Sequence, residues 1–221
     1  MIRNVVFDMD GVLFDTERIS MMSWAEEGRA IGMPEMGEAI QDYFGLNGTD
    51  SRALFTATFG DRLDYDGWIA RVRARTDQWI AENGLPVKPG VRELLTYLRN
   101  AGIGVALATS TARPRTLASL QQTGLTDFFQ QIVTGDMVLH GKPEPDIYRM
   151  ACERLGADPA EAVAVEDSYN GLRAAAAAGM IPIMVPDMKP PIPELEGAVY
   201  CVCDSLFDVI GVIEEINRKA E

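Results

Sequence analysis

Six short runs of β-forming residues punctuate this 221-residue chain, at 4–7, 103–108, 131–134, 162–165, 181–185 and 199–202, and several are apolar without interruption. A strand that is apolar on both faces must be covered on both faces, which a parallel sheet flanked by helices does and a half-exposed antiparallel sheet does not. Helical patterns follow the runs, and their ends are readable. Pro114 falls in a first turn and Gly124 just past a last one. Asp158, Pro159 and Glu161 read as N-cap, N1 and N3, and Ser205 as the cap of the last helix. The β-then-α alternation predicts an α/β fold, a doubly wound, Rossmann-like parallel sheet.

The alternation breaks once. Residues 16–87 hold no strand pattern, and Met21, Trp24, Leu54, Phe55, Trp68, Ile69, Val72, Trp79 and Ile80 recur at mostly helical spacings. The length is generous for one compact unit and short for two, so the expectation is a core of 1–15 and 88–221 with a helical domain, 16–87, inserted after the first strand. Its two connections, near 15–17 and 85–90, could serve as paired hinges for a moving cap.

Composition removes several classes of function. With 47% hydrophobic and 24% charged residues the chain can bury a sizeable core. A formal charge of −13 opposes nucleic acid and anionic lipid, whose recognition needs clustered Lys and Arg. Of Arg71, Arg73 and Arg75, only Arg71 and Arg75 share a helical face, which reads as a solvated face or as help with an anionic substrate. No apolar run reaches the ~18 residues of a membrane span, and Val5–Phe7 is too short for a secretory signal. Cys152, Cys201 and Cys203 have neither zinc nor disulfide spacing and read as buried packing residues. A cytoplasmic enzyme is expected, its oligomeric state open and a monomer sufficient.

In a doubly wound sheet ligands bind beyond the carboxyl ends of the strands. Here those ends are Asp8-Met9-Asp10-Gly11, Thr109-Ser110, Gly141-Lys142-Pro143 and Glu166-Asp167. Asp8 and Asp10 lie two apart, so in extended chain their carboxylates point the same way. Gly11 permits a backbone conformation closed to other residues and a close approach to a ligand. Four carboxylates in one crevice would repel a phosphate unless a divalent cation stood between, and hard oxygen donors suit Mg²⁺. Lys142, the Thr109 hydroxyl and the Ser110 main-chain N–H can donate to phosphoryl oxygens.

The string Asp8-Met9-Asp10-Gly11-Val12-Leu13-Phe14-Asp15-Thr16-Glu17, with Thr109, Lys142 and Glu166-Asp167 following in that order, resembles the four motifs of the haloacid dehalogenase superfamily. Gly141-Lys142-Pro143-Glu144-Pro145-Asp146 and Glu166-Asp167-Ser168 resemble its helical-cap branch, which includes β-phosphoglucomutase and many sugar-phosphate phosphatases. The resemblance implies Asp8 as nucleophile, Asp10 as acid/base and Lys142 as the cation steadying the transferring group. It implies Mg²⁺ held by Asp8, the Asp10 carbonyl and Asp167, with Glu166 behind them. Thr109, Ser110, Lys142, Gly11 and Glu17 would contact phosphate or substrate. The implied activity is hydrolysis of a small sugar- or polyol-type phosphate through an aspartyl-phosphate.

A phosphosugar mutase is the alternative. Where β-phosphoglucomutases carry a histidine after the Asp-Thr pair this chain has Ser20, and their basic grip on a second phosphate is replaced by Asn47 and Ser51, with Arg52 one place off. The absence of lysine before Pro86 argues against a phosphonatase, and Asp10 against a dehalogenase. A non-catalytic regulator could use the same fold, though it would have no need of the four functional positions together. His140 reads as a loop residue that borders the site at most.

Overall fold

The computed structural model describes residues 1–44, 46 and 48–220, and of residue 61 the main chain alone. Asn47, weighed above in the choice between phosphatase and mutase, lies outside the described residues. In chain order the regular elements are β1 (Asn4–Phe7), α1 (Thr16–Ala30), α2 (Met36–Ala39), α3 (Gly48–Phe59), α4 (Tyr65–Asn83), α5 (Val91–Asn100) and β2 (Gly104–Thr109). They continue with α6 (Arg113–Thr123), β3 (Gln131–Thr134), α7 (Asp146–Leu155), β4 (Ala162–Glu166), α8 (Tyr169–Ala177), β5 (Ile181–Met184), β6 (Cys201–Val202) and α9 (Leu206–Lys219). No described helix is long and apolar enough to cross a membrane.

The six strands form one parallel sheet in the order β3-β2-β1-β4-β5-β6. It is an α/β doubly wound sheet with a helical insertion after β1. Strand order reverses between β1 and β4, so chain leaves β1 toward one edge and returns to build the other. That reversal opens a crevice at the carboxyl ends of β1 and β4.

Both faces of the central strands are apolar but differ in size. Ala106, Ala108, Ala162 and Ala164 alternate with Val105, Leu107, Val163 and Val165, all of them buried. The alanine face lets α7 and α8 approach closely through Ile147, Tyr148, Ala151, Ala174 and Ala175. Continuous apolarity is therefore two alternating patterns superposed, one for small residues and one for large. In α5, Val91, Leu94, Leu95 and Leu98 are buried at helical spacing. Each such side chain contributes on the order of 1.5–3 kcal/mol by leaving water.

The chain divides into two compact units, Met1–Phe14 with Val87–Glu221 and Asp15–Pro86. The second unit has its own core of Trp24, Met36, Ile40, Phe55, Phe59, Trp68 and Val72. Trp24 and Trp68 meet edge to face at 5.3 Å, a favourable aromatic geometry. The chain ends within each unit lie side by side. Lys88 donates its N–H to Leu13 O at 2.9 Å in the first unit, and Asp15 donates to Pro86 O at 3.1 Å in the second.

Several sequence-level expectations need correction. Asp158 does cap a turn, accepting from Ala160 N at 2.9 Å, but Pro159–Glu161 is one 3-10 turn leading straight into β4, not the start of a helix. With Ala162 already extended, no room remains to propagate one. The last strand is Cys201–Val202, shorter than the apolar run suggested. Cys201 is half-buried rather than buried, its sulfur 4.0 Å from that of Cys203. Ser205 forms a reciprocal cap with Asp208 at the start of α9.

Candidate active site

β1 delivers Asp8 to the crevice. The Asp8 N–H donates to Val165 O at 3.0 Å, continuing the sheet one residue past the strand and fixing the direction of the side chain. Beyond it the chain turns tightly, Leu13 N to Met9 O at 2.8 Å and Gly11 N to Phe14 O at 2.9 Å. Gly11 sits at φ 83°, and a Cβ there would lie 2.3 Å from Asp167 Oδ2. Glycine is therefore demanded twice, by backbone conformation and by a carboxylate packed against it.

Lys142 reaches this point from the loop before α7. Its buried ammonium donates to Asp8 Oδ1 at 2.5 Å, to Glu166 Oε1 at 2.6 Å and to Ala108 O at 3.2 Å, which uses all three of its protons. It also lies 5.0 Å from the centre of the Tyr148 ring. Burial alone would push this ammonium's pKa down, but the Asp8 and Glu166 carboxylates together hold it well above the ordinary lysine value.

Glu166 is fully buried and saturated with donors. Oε1 accepts from Lys142 and from the Tyr148 hydroxyl at 2.9 Å. Oε2 accepts from Asp167 N at 3.0 Å and from both Ser168 N and Ser168 Oγ at 2.9 Å. Ser168 in turn caps α8, accepting from Gly171 N at 3.1 Å. A Cβ on Gly171 would fall 1.6 Å from Glu166 Oε1, so the helix start is moulded around the carboxylate.

Asp8, Glu166 and Asp167 each place a carboxylate oxygen within 4.8 Å of the others. Burial, then the charges of Glu166 and Asp10, push the Asp8 carboxyl up to about 7 against the opposing pull of Lys142. One ammonium does not balance this acidic group, and a hard divalent cation fits the donor set. Geometry counts Glu166 among the three, yet its oxygens already accept from five donors while a carboxylate offers about four lone-pair sites.

Of the other residues singled out in the sequence, Thr109 ends β2, buried, its hydroxyl accepting from Thr111 N at 3.1 Å. Ser110, the next residue, is exposed. Asp10 is half-buried, and its Oδ2 accepts from the Thr111 hydroxyl at 2.7 Å. Glu17 lies in the first turn of α1, within the inserted unit. Arg71 and Arg75 are engaged by carboxylates of their own unit, Arg71 with Glu27 at 3.6 Å and Arg75 with both Glu26 and Glu27. Arg52 pairs with Asp66 in the same unit. His140 is exposed and pairs with Asp146 at 3.0 Å.

Three participants escaped the sequence reading: Thr111 beneath Asp10, Tyr148 on Glu166, and the Ser168 side chain. Ser168 carried a signal, since a hydroxyl directly after two buried acids and before a helix is placed to cap and to donate at once. Thr111 and Tyr148 carried none that spacing reveals.

The haloacid dehalogenase-like hydrolase profile matches residues 2–179. The chain belongs to that family. This haloacid dehalogenase-like hydrolase is an enzyme of the phosphatase type, similar to β-phosphoglucomutase-like and sugar-phosphate phosphatase members. It is 33% identical over 176 residues to the phosphorylated carbohydrates phosphatase of Thermotoga maritima, covering 80% of this chain and 81% of that one. It is 35% identical to protein CbbY of Cereibacter sphaeroides over 90% of both chains. Among solved structures it superposes with TM-score 0.74 and 31% identity on a CbbY variant from Rhodobacter sphaeroides in complex with xylulose-(1,5)bisphosphate, covering 93% of this chain and 95% of that one. As a hydrolase of this family it keeps the whole buried acid-lysine group described above in one crevice.

Proposed function

We propose that the protein is a Mg²⁺-dependent phosphatase of a small phosphorylated carbohydrate or polyol, working through a phosphoryl group carried on Asp8. The observation that supports this most is the buried Lys142 ammonium bridging Asp8 and Glu166, with Asp167 alongside. Lys142 holds Asp8 Oδ1, and Oδ2 would be the attacking oxygen. The Asp8 oxygen forms a bond to phosphorus while the bond from phosphorus to the alcohol oxygen breaks, and Asp10 gives that oxygen its proton. A water molecule then attacks the aspartyl-phosphate as Asp10 takes its proton back, returning Asp8 and releasing phosphate.

Asp8, Asp167 and the Asp10 main-chain carbonyl would hold the cation, which when bound supplies positive charge against the phosphoryl oxygens. Glu166 positions Lys142 rather than binding metal. Lys142 stabilises charge on the transferring group. The Thr111 hydroxyl, donating to Asp10 Oδ2, would steady Asp10. The Thr109 hydroxyl, the Ser110 N–H and the chain at Gly11 would receive the phosphate.

The carbohydrate class rests on similarity to the Thermotoga phosphatase and to the CbbY structure with its sugar bisphosphate. The test is phosphate release with Mg²⁺ across sugar mono- and bisphosphates, polyol phosphates and nucleotides. Sugar or polyol phosphates should be the best substrates. Preference for nucleotides would overturn the class. Conversion of β-glucose 1-phosphate to glucose 6-phosphate with catalytic glucose 1,6-bisphosphate and negligible free phosphate would make the enzyme a mutase instead.

A further inference from the structure

β5 runs beside β4, and Val185 donates its N–H to Glu166 O at 2.7 Å, so the exit of β5 is tied to the exit of β4. Two residues on, Asp187 turns inward. A carboxylate oxygen of Asp187 lies within 4.8 Å of one on Asp167. Its side chain is only 6% exposed, and Lys88 Nζ donates to its Oδ1 at 2.7 Å. Its Oδ2 is buried and accepts from no group among the described residues.

A buried carboxylate oxygen without a donor is costly, and structures that retain one have something to place against it. An ion pair alone does not explain it, because Lys88 satisfies Oδ1 and leaves Oδ2 over. Asp187 also brings a second negative charge close to Asp167, which favours a cation nearby. Mg²⁺ keeps several waters when carboxylates bind it, and those waters need acceptors. Groups that orient the ligands of a metal from behind commonly alter its affinity by about 10–100-fold.

We propose that Asp187 is a positioning residue of the cation site: with Lys88 fixing Oδ1, its Oδ2 accepts from the hydration shell of a divalent cation at Asp8 and Asp167. This rests on the cation reading given under the proposed function. Lys88 holds the carboxylate in place and moderates its charge, whereas the carboxylate itself does the accepting. Replacing the two residues therefore has different consequences.

The test measures Mg²⁺ binding by calorimetry without substrate, together with the melting temperature in EDTA. Wild type should bind Mg²⁺, and Asp167→Ala should weaken binding strongly. Asp187→Asn, which keeps shape but not charge, should weaken Mg²⁺ binding about 10-fold. Lys88→Met should leave it within about twofold or tighten it, because the full negative charge stays. A purely structural ion pair would lower the EDTA melting temperature alike in both variants and move Mg²⁺ binding in neither. An Asp187→Asn dissociation constant within twofold of wild type, or equal weakening in both variants, overturns the proposal. If wild type binds no Mg²⁺ or Asp167→Ala changes nothing, the cation reading itself is what fails.

Discussion

As the proposed nucleophile Asp8 must be ionised to attack, yet its carboxylate is buried. Burial and the neighbouring Glu166 and Asp10 raise its pKa to about 7 from 3.8, with Lys142 pulling the other way. The folded, metal-free protein thus keeps a proton that the unfolded chain releases between those values. More protons bound in the folded state means stability that falls as pH rises from about 4 to about 7. In EDTA the melting temperature should therefore drop across that window through this group, Mg²⁺ should restore it at pH 7 and above, and Asp8→Asn should flatten the dependence. A slope unchanged in the variant would show that other groups set it. Asp8→Asn should also lower phosphate release by about 10³-fold or more while the fold is kept, since a carboxamide fills the same volume but cannot attack. Asp10→Asn should cost about 10²–10⁴-fold with alkyl phosphates and much less with p-nitrophenyl phosphate, whose leaving group hardly needs a proton. That Asp8, Asp10 and Glu166-Asp167 stand at strand exits could be read from spacing. That Tyr148 donates to Glu166 could not, because the contact depends on how α7 lies on the alanine face of the sheet.

Two helices of the sheet unit carry opposite lessons about glycine. Gly171, in the first turn of α8, is packed against Glu166 so tightly that an added Cβ would meet Oε1 at 1.6 Å. Gly211, within α9, has no described atom beyond its own stretch of helix within 4 Å of that position. Helix propensity alone favours alanine at both by the same amount. Gly211→Ala should stabilise the protein by about 0.4–1 kcal/mol, while Gly171→Ala should destabilise it by roughly 1–3 kcal/mol and slow turnover by displacing Glu166 and with it Lys142. Urea unfolding of the two variants checks the contrast, and equal effects would refute it. The same distinction explains what was legible among the elements. Uninterrupted apolar runs marked the buried strands because burial on both faces leaves little choice of residue. The capping signature at Asp158 was real, but caps report the start of a turn and not whether the chain continues as helix or enters a strand.

For the whole molecule, a net charge of −13 means that an anionic substrate approaches against the field of the protein. In the proposed mechanism local neutralisation comes from Lys142 and a bound cation. EDTA should abolish phosphate release, Mg²⁺ should restore it, and Ca²⁺ should do so poorly because its looser coordination misplaces the reacting atoms. Full activity in EDTA, once residual metal is excluded, would overturn the assignment. The helical insertion was legible as an interruption of rhythm, but its internal packing was not, because Trp24, Phe55 and Trp68 meet through tertiary contacts that one-dimensional spacing leaves open. The way that insertion is spliced in carries a consequence for how such proteins diversify. On the sheet side, Leu13 and Lys88 are already joined by a main-chain hydrogen bond, and Phe14 bridges Val87. Asp15 and Pro86 are joined in the same way on the other side. The cut ends of either piece therefore already touch, and closing them with a short turn would cost little chain entropy. A genetic exchange at this seam would replace the inserted unit in one step, like a cassette, without disturbing a single rung of the sheet.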